Sequence, residues 1–313
     1  MRPVRGALST GSASAGLDGI STEAADPAMA DLDRLSTAEV VRAVVGGHCD
    51  VLRAVAAAER GIAALADTVA ERMDRGGRVV YAGAGSAGRV GLLDAAEWSA
   101  TFGVPDDAVV ALVAGEGLRP GCSEEAAAED DRGEGAAAVA RLGIGRDDVV
   151  VGLSASGRTP YVLGAIAVAS EIGALTAGVT CEPGSPLSES VELAVEVPVG
   201  PEVVSGSTRL KAATAQKLVL NAFSTAVMVR RGRTLGNLMA CMRVSNGKLR
   251  DRAIRICVTV TGCTEDDALA ALAAAGDDLP VAIVSLARGV DVAQARELLD
   301  AGGGALAATL HSP

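Results

Sequence analysis

Three short runs of this chain hold hydroxyl-bearing, acidic or glycine residues at spacings suited to chemistry. In the first, Gly83-Ala84-Gly85-Ser86-Ala87-Gly88 follows the β-prone Val79-Val80-Tyr81 and leads into an apolar run carrying Asp94 and Glu97. Its glycines let the backbone turn tightly and approach a ligand without a Cβ in the way. A helix is expected from about Ser86, and the N–H groups at such a start seat an anion, most often a phosphate. The second run, Ser154-Ala155-Ser156-Gly157-Arg158-Thr159, stands between a β-prone segment at 149–153 and Pro160, which suits the first turn of a helix. It reads as another anion cradle. The third, Ser205-Gly206-Ser207-Thr208, opens a long helix whose Arg209 and Lys211 sit at the wrong end for the helix dipole. They hold a ligand anion or a neighbouring acid, unless they only face solvent. The candidate binding set is therefore Ser86, Gly88, Ser154, Ser156, Thr159, Ser207 and Lys211.

GAGSAG also satisfies a dinucleotide fingerprint, which asks for an acidic residue closing the next strand. Glu116, just past the strand expected at 108–113, keeps that reading open. A glycine-rich turn with no ligand is the plainest alternative.

These runs must be positioned by elements, and the pattern of the chain supplies them. Strands are expected at 79–81, 108–113, 149–153, 176–181 and 193–198, with helices between them, including one over 124–141 that bears Glu124, Glu125, Glu129, Asp130 and Asp131. Most of those acids should face water. Alternation of this kind makes an α/β protein, a parallel sheet sandwiched by helices with right-handed crossovers, whose loops all open on the carboxyl edge. Ser86, Ser154, Ser156 and Thr159 then converge there. Upstream, Ser36 or Thr37 is placed to cap a helix from Ala38, a second helix covers 51–74, and His48 is expected in the joint between them, as a surface residue. Residues 1–20 have no periodicity and read as a disordered leader. The expected divisions are 21–75 for an arm and helices, 76–245 for the sheet domain and 246–313 for a small helical domain.

Composition removes several function classes. The 313 residues are 49% hydrophobic and only 2% aromatic, which suits parallel strands of Val, Leu and Ile under Ala-rich helices. A net charge of -11 argues against nucleic acid or an anionic membrane as partner. The six cysteines show no CxxC spacing and there are two histidines, so no metal site is expected and reduced thiols in the cytoplasm are the simplest reading. No run of apolar residues is long enough to span a bilayer.

The motifs GAGSAGRVGLLDAAEWSATFG, SASGRTPYV and GSTRLKAATAQKLVLN, with TEAADPAMADLDRLST near the amino terminus, resemble the N-acetylmuramic acid 6-phosphate etherases of the sugar isomerase (SIS) superfamily. The resemblance runs from about Ser21 to the carboxyl terminus. It implies a SIS fold followed by a small ubiquitin-associated-like domain, for which helices fit 265–275, 279–286 and 292–299. It also implies cleavage of the D-lactyl ether of N-acetylmuramic acid 6-phosphate, with no cofactor, by a homodimer. In that family pattern Glu97 matches the proton donor, which would have to be held neutral by burial, and Glu129 matches a second functional glutamate, a plausible base. The family usually reads Cys-Pro-Pro after the first glutamate, where this chain has Trp98-Ser99-Ala100, and Thr-Ser where it has Ser86-Ala87. A sugar-phosphate-binding regulator on the same fold, like the glucokinase regulatory proteins, is the alternative function.

Overall fold

The computed structural model describes residues 19–117 and 122–311. Three 3-10 turns, Ser21–Glu23, Pro27–Met29 and Leu32–Arg34, carry the chain into α1 (Thr37–Ala57) and α2 (Glu59–Asp74). The sheet layer follows as β1 (Val79–Gly83), α3 (Gly85–Phe102), β2 (Val109–Val113), α4 (Ser123–Ala128), α5 (Arg132–Arg141), β3 (Val149–Ser154), α6 (Pro160–Ile172), β4 (Leu175–Thr180), α7 (Pro186–Ser190) and β5 (Leu193–Glu196). Helix α8 (Lys211–Arg230) closes that unit. The chain ends in α9 (Gly247–Thr261), α10 (Glu265–Ala275), α11 (Leu279–Arg288), α12 (Val292–Ala301) and α13 (Leu306–His311).

All five strands are parallel, in the order β2-β1-β3-β4-β5, with Val79 opposite both Val109 and Val149. Successive side chains of a strand point to opposite faces. Val79, Tyr81, Val149 and Val151 accordingly pack into one core with α1, α2, α3 and α8, while Val80, Ala82 and Val150 pack into another with α5, α6 and α7. A third core gathers Leu272, Leu279, Ile283 and Leu306 among the carboxyl-terminal helices. Among the described residues no helix is long and apolar enough to cross a membrane.

Two expectations about helices are corrected. His48 lies inside α1, not in a joint: the helix starts on a capping box between Ser36 and Glu39 and runs through Gly46-Gly47 to Ala57. Packing of α1 on α8 outweighs the propensity cost of the two glycines, roughly 1 kcal/mol each. The single helix expected over 124–141 is two helices. Asp131 leaves helical backbone at φ -86°, ψ 91° and caps α5 by accepting the Glu134 N–H. The Glu129 carbonyl turns to accept the Tyr161 N–H at 3.1 Å. That break takes Glu129 off a solvated helix face. Ile20, at the end of the expected leader, is buried; residues 1–18 lie outside the described residues.

Candidate active site

In the strand order 2-1-3-4-5 the connections leave in opposite directions between β1 and β3, and a crevice opens at their carboxyl ends. A cavity of about 260 Å³ occupies that position, lined by Ser86 and Ala87 of α3, by Ser154, Ser156 and Thr159 after β3, and by Glu129. Glu23, Thr208 and Gln216 complete the wall.

The first cradle depends on a close backbone approach. A Cβ on Gly88 would lie 2.8 Å from Val113 Cγ1 and 2.9 Å from the Gly83 carbonyl, so α3 can begin against β1 only if this residue is glycine. Gly88 was a candidate ligand contact. Its N–H is instead engaged by Ala84 O at 3.0 Å, and its place is in helix–sheet packing, while Ser86 faces the cavity. In the second cradle Gly157 has φ +65°, and a Cβ there would meet Ser185 Oγ at 2.1 Å.

The hydroxyls of this cradle form a relay. Ser154 Oγ accepts the Gly157 N–H at 3.0 Å and lies 2.9 Å from Thr159 Oγ1, which donates to Glu129 Oε1 at 3.2 Å. Since Thr159 gives its proton to the carboxylate, Ser154 donates to Thr159. Ser156 Oγ accepts from the Arg158 N–H at 3.3 Å, so its own proton points elsewhere. Burial pushes the Glu129 carboxyl above its usual range, the Thr159 hydrogen bond opposes this, and the neighbouring Asp130 charge adds to the rise.

Several candidates fall outside the cavity. Lys211 is buried, donates from Nζ to Val199 O at 2.6 Å and lies 3.8 Å from Asp50; its backbone N–H and that of Ala212 are capped by the buried Glu202. The expected ligand contact is thus a structural tie at the start of α8. Ser207 donates its backbone N–H to Val204 O, and its neighbour Thr208 lines the cavity in its place. Arg209 is exposed. Glu116 lines a different cavity, with Tyr161 and Arg141, so the acidic partner of a dinucleotide site is not beside the glycine turn.

Glu97 is also elsewhere. It stands on α3 eleven residues beyond Ser86, about 16 Å along the axis. Its side chain is 56% exposed and accepts from Lys217 Nζ at 2.8 Å. The burial expected to keep it neutral is absent within one chain.

Residues 134–226 match the SIS domain, and residues 61–170 match the glucokinase regulatory protein N-terminal SIS domain. The N-acetylmuramic acid 6-phosphate etherase of Rubrobacter xylanophilus is 52% identical, covering 90% of this chain and 93% of that protein. That of Streptomyces avermitilis is 47% identical over 94% of both, and that of Serratia proteamaculans 43% identical over 94% of this chain and 99% of its own. This chain belongs to the N-acetylmuramic acid 6-phosphate etherase family.

Within this etherase-family chain the departure at Trp98 has a clear structural place. Asp94, 1% exposed, accepts from Trp98 Nε1 and from Tyr81 OH, both at 2.8 Å, and from Lys217 Nζ at 3.3 Å. Burial, with the Asp94 charge, pushes the Tyr81 hydroxyl well above its usual range, so it remains a donor. The Trp98 ring sits against Phe223 at 6.0 Å. Lys217 therefore runs from a fixed buried carboxylate to the exposed Glu97. Sequence reasoning missed Glu23, Thr208 and Gln216 as wall residues; the one signal for them was their place inside the motifs TEAADPAMADLDRLST and GSTRLKAATAQKLVLN.

Proposed function

We propose that this chain cleaves the D-lactyl ether of N-acetylmuramic acid 6-phosphate, giving N-acetylglucosamine 6-phosphate and D-lactate. The observation that carries the reading is the half-buried Glu129 carboxylate beside a hydroxyl cradle at a helix start, in a chain of this family. Ser86, Ser156 and the first N–H groups of α3 hold the phosphate. In the open-chain sugar the C2 proton lies α to the C1 aldehyde, and its removal expels lactate from C3. Glu129, its basicity increased by burial, takes that proton while Thr159 fixes its orientation. Water then adds to C3 of the unsaturated aldehyde.

Glu97 protonates the departing ether oxygen, and it does so in a partner's cavity. Leu93, one turn before Glu97 on α3, is 51% exposed, and Val45 and Leu52 on α1 are 66% and 62% exposed. A second copy of the chain covers these apolar side chains and brings Glu97 against the partner's cavity, with Lys217 Nζ at 2.8 Å holding its side chain in place. All six cysteines are free thiols, which suits a cytoplasmic enzyme.

The test is incubation with N-acetylmuramic acid 6-phosphate in ¹⁸O-water. Lactate release with the label at C3 of the aminosugar is expected. Tight sugar-phosphate binding without lactate would give the chain the role of a regulator.

A further inference from the structure

Gln216 is 1% exposed, yet its amide Nε2 has no hydrogen-bond partner, and it lines the same cavity as Ser86, Ser156 and Glu129. A buried donor left unpaired is costly, and native proteins keep few of them. The residue stands in the second turn of α8, where an apolar side chain would pack without that cost. What makes the position informative is a second polar residue of the same cavity wall, Glu23. The segment carrying Glu23 is tied down: Ser21 donates its N–H and its hydroxyl to Glu182 Oε2 at 2.8 and 2.7 Å, and Ser205 Oγ donates to Glu23 O at 2.9 Å. The Glu23 carboxylate lies against Gly206, where a Cβ would come within 2.8 Å of Oε2.

We propose that Gln216 and Glu23 read the 2-acetamido group of the sugar, Gln216 Nε2 donating to its carbonyl oxygen and Glu23 accepting its N–H. This rests on the aminosugar-phosphate reading above and names which part of that ligand is discriminated. A group bound beside Glu23 cannot be the phosphate or the lactyl carboxylate, because an anion there would meet a carboxylate of like charge. It must bring a hydrogen-bond donor for Glu23 and an acceptor for Gln216. A secondary amide carries one of each on two separate atoms, the nitrogen and oxygen bonded to one carbon, whereas a hydroxyl must serve both residues from a single oxygen. The phosphate is provided for separately by the hydroxyls and N–H groups of the two cradles. A cavity wall with a desolvated donor also rejects a ligand that offers nothing to it, since the donor then stays unpaired.

Calorimetric titration with N-acetylglucosamine 6-phosphate and with glucose 6-phosphate, which has a hydroxyl at C2, tests this. The unmodified protein should bind the acetamido sugar at least about tenfold more tightly, the worth of one good hydrogen bond. Gln216→Leu should weaken N-acetylglucosamine 6-phosphate by about tenfold and leave glucose 6-phosphate within about twofold, and Glu23→Ala should have the same selective effect. Equal weakening of both sugars, or no change for the acetamido sugar, would overturn the assignment. Glucose 6-phosphate binding doubles as the folding control; if Gln216→Leu loses it, Gln216→Met, unbranched and of similar length, is titrated instead, and loss there too counts against the proposal. Lactate release by the unmodified protein is measured alongside. An inactive protein whose acetamido preference collapses in Gln216→Leu refutes the reaction and supports this inference, and an active protein whose preference ignores Gln216 does the reverse.

Discussion

Asp94→Ala tests the chain of contacts that joins the sheet to Glu97. One buried carboxylate serves Tyr81 OH and Trp98 Nε1 at 2.8 Å, Lys217 Nζ at 3.3 Å and Ser224 Oγ at 3.5 Å. Alanine leaves the Tyr81 hydroxyl and the Trp98 N–H, both on side chains 1% exposed, without this acceptor. Hydrogen bonds to a charged group are worth about 1.5–3 kcal/mol each, so their loss costs about 3–6 kcal/mol. Relief of the carboxylate's own desolvation offsets part of this, and Lys217 keeps Glu97 and water, which leaves a net loss of about 3–5 kcal/mol. Against a folding free energy of roughly 5–15 kcal/mol that is a large fraction. The assay is built in. Trp98 is the one tryptophan of the chain, and its fluorescence during urea unfolding reports on the core that the substitution disturbs. A loss below about 1 kcal/mol would refute the view that Asp94 is a hydrogen-bonding hub and would detach Lys217, and with it the placing of Glu97, from the sheet.

Glu129→Gln should lower lactate release by about 10²- to 10⁴-fold, and normal turnover would remove Glu129 from the mechanism. The same variant has a stability signature: because the folded carboxyl titrates above its ordinary value of 4.5, ionising it costs stability as pH rises through that window, so Glu129→Gln should melt higher than the unmodified protein at pH 7 and equal to it below about pH 4.5. Differential scanning at the two pH values reads the gap, and a variant that melts lower at pH 7 would contradict the burial of an ionised group. Ser156→Ala should raise KM for N-acetylmuramic acid 6-phosphate more than it lowers kcat, since a phosphate contact is much the same in ground and transition states; a pure kcat effect in steady-state kinetics would place Ser156 at the reacting centre. Mixing inactive Glu97→Gln with inactive Glu129→Gln subunits should restore activity, because each heterodimer then has one site that pairs an intact Glu97 with an intact Glu129 across the interface; no recovery after verified subunit exchange would put both glutamates on one chain's site. Deleting residues 1–24 removes Glu23 and the Ser21 ties to Glu182 and should abolish lactate release while the circular dichroism of the sheet domain persists. A deletion variant of full activity would reduce the arm to a tether.

Local chemistry determined most of the scaffold. Strand positions follow from runs of β-branched residues whose alternate side chains meet two different cores, and the two anion cradles follow from glycines and hydroxyls at strand-to-helix turns, features that act over a few residues and are therefore visible in them. The carboxyl-terminal helices begin where Thr264 and Asp291 form capping boxes, another local signal. Tertiary structure decided the rest. Asp131 and the glycines at 133 and 135 permit a break after Glu129, but only the Tyr161 N–H, 32 residues away, shows that the Glu129 carbonyl has a partner outside the helix. Lys211 carries a charge that pattern assigns to ligand or solvent, and only the approach of Val199 and Glu202 shows it to be a buried tie. Gln216 is one polar residue among Thr214, Lys217 and Asn221 on α8, and only the meeting of the sheet edge, the arm and α8 encloses it in one cavity. Glu97 lies on a helix face whose neighbour is another copy of the chain in our proposal, and a relation between two molecules is not a property of spacing along one.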